Sequence, residues 1–185
     1  MNAPSGHDQG TVTGRMAVVV GNPKPASRTL TVALAVAGKL RTELMAGRTE
    51  IETIDLAEYG NELLDWNSER IKQLVELVLA ADLTVVGSPT YKATYAGLLK
   101  VFLDRIAGGG FLGKIAVPVM VVGAPQHALV VENHLRPLLV ELGATCPTPG
   151  LCVLESDLGG LDVVIDSWWS KVALSLIQLQ KLRSS

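Results

Sequence analysis

Residues 16–29 read MAVVVGNPKPASRT, and this passage decides the fold. Five apolar residues, Met16 to Val20, stop at Gly21, Asn22 and Pro23. A short apolar run bounded by turn residues reads as a strand buried on both faces, the kind that parallel sheets use. After Ser27 the apolar residues change period and recur at helical spacing as Leu30, Ala33, Leu34, Ala37, Leu40 and Leu44. Strand, tight turn and helix in that order open a βαβ unit.

The same alternation continues downstream. Residues 50–55 alternate as a second strand, and 68–80 return to helical spacing through Ile71, Leu74, Val75 and Val78. A third strand falls at 83–87 and a helix at 95–107, through Leu98, Leu99, Phe102, Leu103 and Ile106. A fourth strand is expected at 114–122 and a helix at 129–142. A fifth strand follows at 152–154, starting as early as Ala144, and a last helix at 161–182. Five such alternations call for a parallel sheet with helices on both faces. The expectation is one doubly wound α/β domain over residues 15–185, with five strands in the order 2-1-3-4-5.

Composition narrows the function. Of 185 residues 48% are hydrophobic, enough for the core of one domain. Charged residues are 18%, the net charge is −2, and no Lys/Arg run occurs, so no nucleic-acid partner is expected. The longest apolar stretch, Ile115 to Val122, is far short of the roughly 20 residues a membrane helix needs. Residues 1–14 are polar, without the basic start and apolar run of a secretory signal, and read as a disordered leader on a cytoplasmic protein. Extended chain from Cys146 to Cys152 would span about 20 Å, against about 7 Å for a disulfide. A bridge would need a tight turn through Pro147, Pro149 and Gly150, and two reduced thiols are expected instead.

The unusual residues follow strands 1, 3 and 4, which are neighbours in a 2-1-3-4-5 sheet. Ligands of such sheets bind beyond the carboxyl ends of the strands, where the strand order reverses. The first loop, 21–29, meets a helix N-terminus, whose unpaired N–H groups and dipole favour an anion. Asn22, Ser27 and Thr29 offer donors there, and Lys24 and Arg28 offer charge. A plain helix start capped by Ser27, with both cations solvated, is the competing reading. The loop is neither a Walker loop nor Gly-x-Gly-x-x-Gly, which argues against a triphosphate or ordinary dinucleotide site. In the second loop, 88–97, Pro89 and Gly97 shape the backbone, and Tyr91 and Tyr95 can flank a flat ring or simply cover the sheet end. In the third loop, 123–127, Gly123 permits close backbone approach. His7, His127 and His134 have no evident partners, no metal-ligand spacing occurs, and no Ser-His-Asp or Cys-His set can be argued.

Together these loops resemble the NADPH-dependent FMN reductase family of the flavodoxin-like fold. That family opens with Gly-Ser-x-Arg-x-x-Ser after strand 1. Here the passage is Gly21-Asn22-Pro23-Lys24-Pro25-Ala26-Ser27, with Asn22 and Lys24, both donors, in place of Ser and Arg. The second signature, Pro-x-Tyr, then Gly-x-Leu-Lys and Asp, stands as Pro89-Thr90-Tyr91, Gly97-Leu98-Leu99-Lys100 and Asp104. Residues 89–100 and 127–137 resemble the flavin reductase partners of alkanesulfonate monooxygenases, and the likeness runs over 16–154. It implies that Asn22, Lys24, Ser27 and Thr29 hold the FMN phosphate, and that Pro89, Thr90, Tyr91 and Lys92 line the isoalloxazine with Gly123 closing the far side. Lys100 and Asp104 are read as structural. Some alkanesulfonate-type reductases carry an inserted Tyr in the fourth helix, and the matching position here is Asn133, beside His134.

The resemblance further implies hydride from NAD(P)H, a homodimer or homotetramer, and a flavin-dependent monooxygenase as partner. The cofactors carry that chemistry, so no catalytic side chain is expected. Self-association through helices 95–107 and 129–142 has its own motive. Leu129, Val130, Val131, Leu135, Leu138, Leu139, Val140 and Leu142 fill more than one helical stripe. The alternatives are a flavoprotein that retains FMN and reduces quinones or azo dyes, a flavodoxin-like electron carrier, and a non-enzymatic binding module. Electron carriers of this fold tend to be strongly acidic, which a net charge of −2 is not.

Overall fold

The computed structural model describes residues 14–45 and 49–184. In chain order the elements are β1 (Met16–Val20), α1 (Arg28–Leu44), β2 (Ile51–Asp55), α2 (Glu69–Ala80), β3 (Leu83–Tyr91), β4 (Thr94–Tyr95), α3 (Gly97–Leu103), β5 (Ile115–Val122), α4 (Arg136–Glu141), β6 (Leu151–Leu154) and α5 (Leu161–Ser184). The five long strands are parallel and lie in the order β2-β1-β3-β5-β6, the expected 2-1-3-4-5 arrangement. The short β4 is additional and pairs antiparallel with the end of β3. The expected leader, residues 1–14, lies outside the described residues apart from Gly14.

The strands read as unbroken apolar runs because both faces are covered. Val18, Val20, Val85, Val117 and Val119 point into one core, where residues of α1 and α5 such as Val32, Val36, Ile165 and Trp168 meet them. Val19, Val86, Ala116 and Met120 point into the other, against Ile71 of α2, Phe102 of α3 and Leu139 of α4. Each Val so buried contributes roughly 1.5–3 kcal/mol by leaving water. Of the adjacent tryptophans, Trp168 is core and donates its indole N–H to the Pro149 carbonyl at 3.0 Å. Trp169 packs half-buried on the same cluster.

Four elements differ from the expected bounds. Strand β3 continues to Tyr91 instead of ending at 87, because Thr90 and Tyr91 pair with Tyr95 and Thr94 in a hairpin. That hairpin takes Tyr95 out of the third helix, which is only Gly97–Leu103. The fourth helical stretch starts as a π-helical turn, Val131–Leu135, closed by Arg136 N–H to the Val131 carbonyl, before it becomes α4. Pro137 explains the widening: it has no N–H to donate, and its ring crowds the carbonyl four residues back. The fifth strand starts at Leu151, and only an isolated bridge between Ile115 and Thr145 lies near the earlier start.

Candidate active site

The register brings three loop entrances to one edge. Val20 ends β1 beside Gly87, and Val121 near the end of β5 lies beside Pro89. The first loop also touches α3, which follows the second loop, directly at Gly21. A Cβ added there would lie 2.2 Å from Leu99 Cβ and 2.6 Å from Leu99 Cα, so α3 sits on the glycine backbone itself. Only Gly allows that approach.

The first loop is built from mutual side-chain bonds. Ser27 caps α1 by accepting from Leu30 N–H at 3.2 Å. Asn22 spans the loop from within: its Nδ2 donates to Thr29 Oγ1 at 3.1 Å, and its Oδ1 accepts from Lys24 N–H at 3.0 Å. Asn22, Ser27 and Thr29 are all buried. A hydroxyl that accepts one bond still has its proton to give, so Ser27 and Thr29 keep one donor each. Asn22 acts mainly as a brace. Lys24 is exposed and its ammonium has no ion-pair partner among the described residues. Arg28, by contrast, is engaged by Glu155 after β6 at 2.9 Å, so the two cations expected at this loop stand in different circumstances.

The second loop is held at its base and strained at its tip. Ser88, fully buried, donates its hydroxyl to the Pro89 carbonyl and accepts Ala96 N–H, both at 2.9 Å. At the tip Lys92 and Ala93 form a two-residue turn with φ of 50° and 61°. A hairpin of this length wants left-handed residues at both positions, where Asn-Gly is usual; each side-chain-bearing residue there costs on the order of 1 kcal/mol. Tyr91 is left 49% exposed. Thr90 Oγ1 is buried and has no hydrogen-bond partner among the described residues. At the third loop Gly123 is exposed, and an added Cβ would meet no described atom within 4 Å. The close approach expected there is not made within this chain; the space beside Gly123 is open. A buried hydroxyl without a partner, on the loop that ends β3, fits a flat ligand with polar rim atoms, which is what FMN presents.

Two residues important to this edge escape the sequence pattern. In sequence Ser88 reads only as part of a loop, and Asp55 only as the end of a strand. Asp55 is 4% exposed, and its carboxylate accepts Ala26 N–H at 3.0 Å and Ala57 N–H at 3.3 Å. A polar residue at the carboxyl end of a strand is the only signal that could have found either.

Elsewhere the chemistry is inert. The Lys100 ammonium bonds Asp104 just past the end of α3, and that carboxylate holds it above its ordinary pKa, in keeping with a structural role. Burial pushes both thiols, Cys146 and Cys152, up to about 11. Thr145 lies beside Ile115 and Cys152 beside Met120, so the two thiols are separated by about 13 Å of strand, too far for a disulfide. No cluster that could hold a metal occurs among the described residues. No described helix is long and apolar enough to cross a membrane.

Comparison with known proteins agrees with this geometry. Residues 15–158 match the model of the family described as NADPH-dependent FMN reductase. The FMN reductase (NADPH) of Pseudomonas aeruginosa is 28% identical over 86% of this chain and 87% of its own. NADH-dependent FMN reductase SfnE of Pseudomonas putida is 30% identical over 75% of each. Among solved structures, an apo NADH:FMN oxidoreductase (EMOB) superposes with a TM-score of 0.72 at 26% identity, over 84% of this chain and 88% of that one. The sheet order, the loop edge and these likenesses converge: the chain belongs to the NADPH-dependent FMN reductase family and is a flavodoxin-like NAD(P)H:FMN oxidoreductase.

Proposed function

We propose that this enzyme binds FMN as a substrate that leaves, and passes reduced flavin to a separate monooxygenase in the cytoplasm. The observation that carries the reading is the first loop, where one exposed, unpaired lysine stands in place of a bidentate arginine. A point charge gives a phosphate less geometric hold than a planar guanidinium fork. The loops after β3 and β5 are short, and the longer connection after β2 is folded into two short helical turns, Leu56–Glu58 and Gly60–Leu64. The alkanesulfonate-type resemblance and the likeness to SfnE support the same reading.

In this account Lys24, the α1 N-terminus and the hydroxyls of Ser27 and Thr29 receive the phosphate. Thr90 gives its unpartnered hydroxyl to the ring edge, Pro89 and Tyr91 flank the ring, and Lys92 lies at the rim. Arg28 stays with Glu155. FMN bound there supplies the hydride chemistry, taking hydride from NAD(P)H. The protein's part is to hold two flat rings face to face, and no side chain needs to move a proton.

A second reading has its own support. An FMN-dependent NADPH-azoreductase of Staphylococcus haemolyticus is 31% identical over 78% of this chain, which supports the reading of a flavoprotein that keeps FMN and reduces azo dyes or quinones. Gel filtration of the purified protein separates the two. Free-substrate FMN predicts a pale protein whose NAD(P)H oxidation saturates with added FMN, with almost no quinone reduction when FMN is omitted. A stably yellow protein with stoichiometric FMN and rapid quinone turnover would overturn it.

Self-association belongs to the same proposal. Val130, Val131, Leu135, Leu139 and Leu142 are buried within the chain, whereas Leu129 and Val140 are 67% and 53% exposed. The second apolar stripe is therefore uncovered. A separate cavity of about 320 Å³ lies between α3 and residues 57–64, lined by Leu64, Leu98 and Val101 among others. A homodimer or homotetramer through these faces is expected, and a monomeric mass at micromolar concentration would contradict it.

A further inference from the structure

We infer that Asp55 is a positioning residue for the FMN phosphate, acting through the backbone of Ala26. This rests on the reading of the first loop as the phosphate site. Ala26 lies two residues before α1 and has a φ of 48°, a conformation that L side chains resist. Something must hold it there. Asn22 braces the loop at Lys24, and the cap at Ser27 fixes the start of the helix, but neither bonds Ala26. The bond that does comes from outside the loop: Asp55 Oδ2 accepts Ala26 N–H at 3.0 Å, from the last residue of β2, 29 positions away in sequence.

The anchor is itself well fixed. Asp55 Oδ1 accepts Ala57 N–H at 3.3 Å and caps the short helical turn Leu56–Glu58, so both carboxylate oxygens have defined partners and the side chain is buried. Strand β2 pairs with β1 up to Asp55 against Val20, which ties the anchor to the strand that feeds the loop. A buried anion directly behind an anion-binding loop would repel the phosphate if its only role were electrostatic. Its use is geometric: it takes up an N–H in the loop and forces the left-handed step, so that the chain arrives at Ser27 with the cap formed and the α1 N–H groups facing outward.

The test compares FMN with riboflavin, which has the ring but no phosphate, by flavin fluorescence on the flavin-free protein, beside a melting curve for each variant. Asp55→Ala is expected to weaken FMN binding about tenfold, as the loss of a charge-assisted bond would, and riboflavin binding less than about twofold. Asp55→Asn keeps one acceptor oxygen for two N–H groups and should fall between. Ala26→Gly removes the reason for the anchor, because Gly accepts a positive φ without cost. Placed in either Asp55 variant, it should restore FMN binding by about threefold and raise the melting temperature only partway to that of the unaltered protein. If Asp55→Ala does not fold, the Asp55→Asn pair carries the same comparison. Parallel loss of FMN and riboflavin, or no rescue by Ala26→Gly, would overturn the role of Asp55. Parallel loss of both flavins in Lys24→Ala would instead overturn the phosphate reading itself.

Discussion

The first and second loops leave the same sheet edge yet are built on opposite plans. In the first, the polar side chains bond one another and the backbone: Asn22 to Thr29 and Lys24, Ser27 to Leu30, Asp55 to Ala26. In the second, the tip is strained at Lys92 and Ala93, Tyr91 is half exposed, and the Thr90 hydroxyl has no partner among the described residues. A phosphate is a compact anion that backbone N–H groups and one cation can hold, so the side chains of its loop serve to set the backbone. A flat ring offers polar atoms only at its rim, so its loop must keep side chains unbonded until the ligand comes. The difference teaches that the residue types in a site motif do not reveal which of them touch the ligand.

Substitutions can break or sharpen this contrast. Gly21→Ala should have the largest effect, about 3 kcal/mol or more of lost stability, because its Cβ would sit within 2.6 Å of the Leu99 backbone. Chemical denaturation measures it, and near-wild-type stability would mean that the first loop and α3 are not in contact. Thr90→Val should weaken FMN and riboflavin alike, about 3- to 10-fold, as the loss of one hydrogen bond does. Its stability should hold or rise, since no internal bond is removed; a clear destabilisation would show that the hydroxyl has a partner in the protein. Ala93→Gly should stabilise the fold by about 0.5–1 kcal/mol through relief of the left-handed turn, and a lowered melting temperature would contradict the strain. Gly123→Ala should leave stability within about 0.5 kcal/mol, because the added Cβ meets open space. Denaturation of this variant beside Gly21→Ala compares a glycine required by packing with one facing the site.

Much of this architecture was legible because its causes are local. Continuous runs such as Met16 to Val20 and Ile115 to Val122 can only be strands covered twice, and the helical spacing between them leaves one topology. The loops were legible because the sheet order sends them to one edge. What stayed hidden depends on geometry that composition does not encode. The β3–β4 hairpin lacks the Asn-Gly that marks such turns, so Lys92 and Ala93 read as ordinary loop. The π-helical turn precedes Pro137, and a proline inside a helical pattern signals a break without giving its form. The pairing of Arg28 with Glu155 and the anchoring of Ala26 by Asp55 join positions 127 and 29 residues apart. No spacing rule reaches that far.

The most direct test of the account is the affinity of Lys24→Ala for FMN set against riboflavin. A charge-assisted bond to phosphate is worth about 1.5–3 kcal/mol, so FMN should bind roughly 10- to 150-fold more weakly. Riboflavin should change by less than about twofold, because the second loop that holds its ring is untouched. Equal losses for the two flavins, or an unchanged affinity for FMN, would contradict the division of the site into a loop for the phosphate and a loop for the ring.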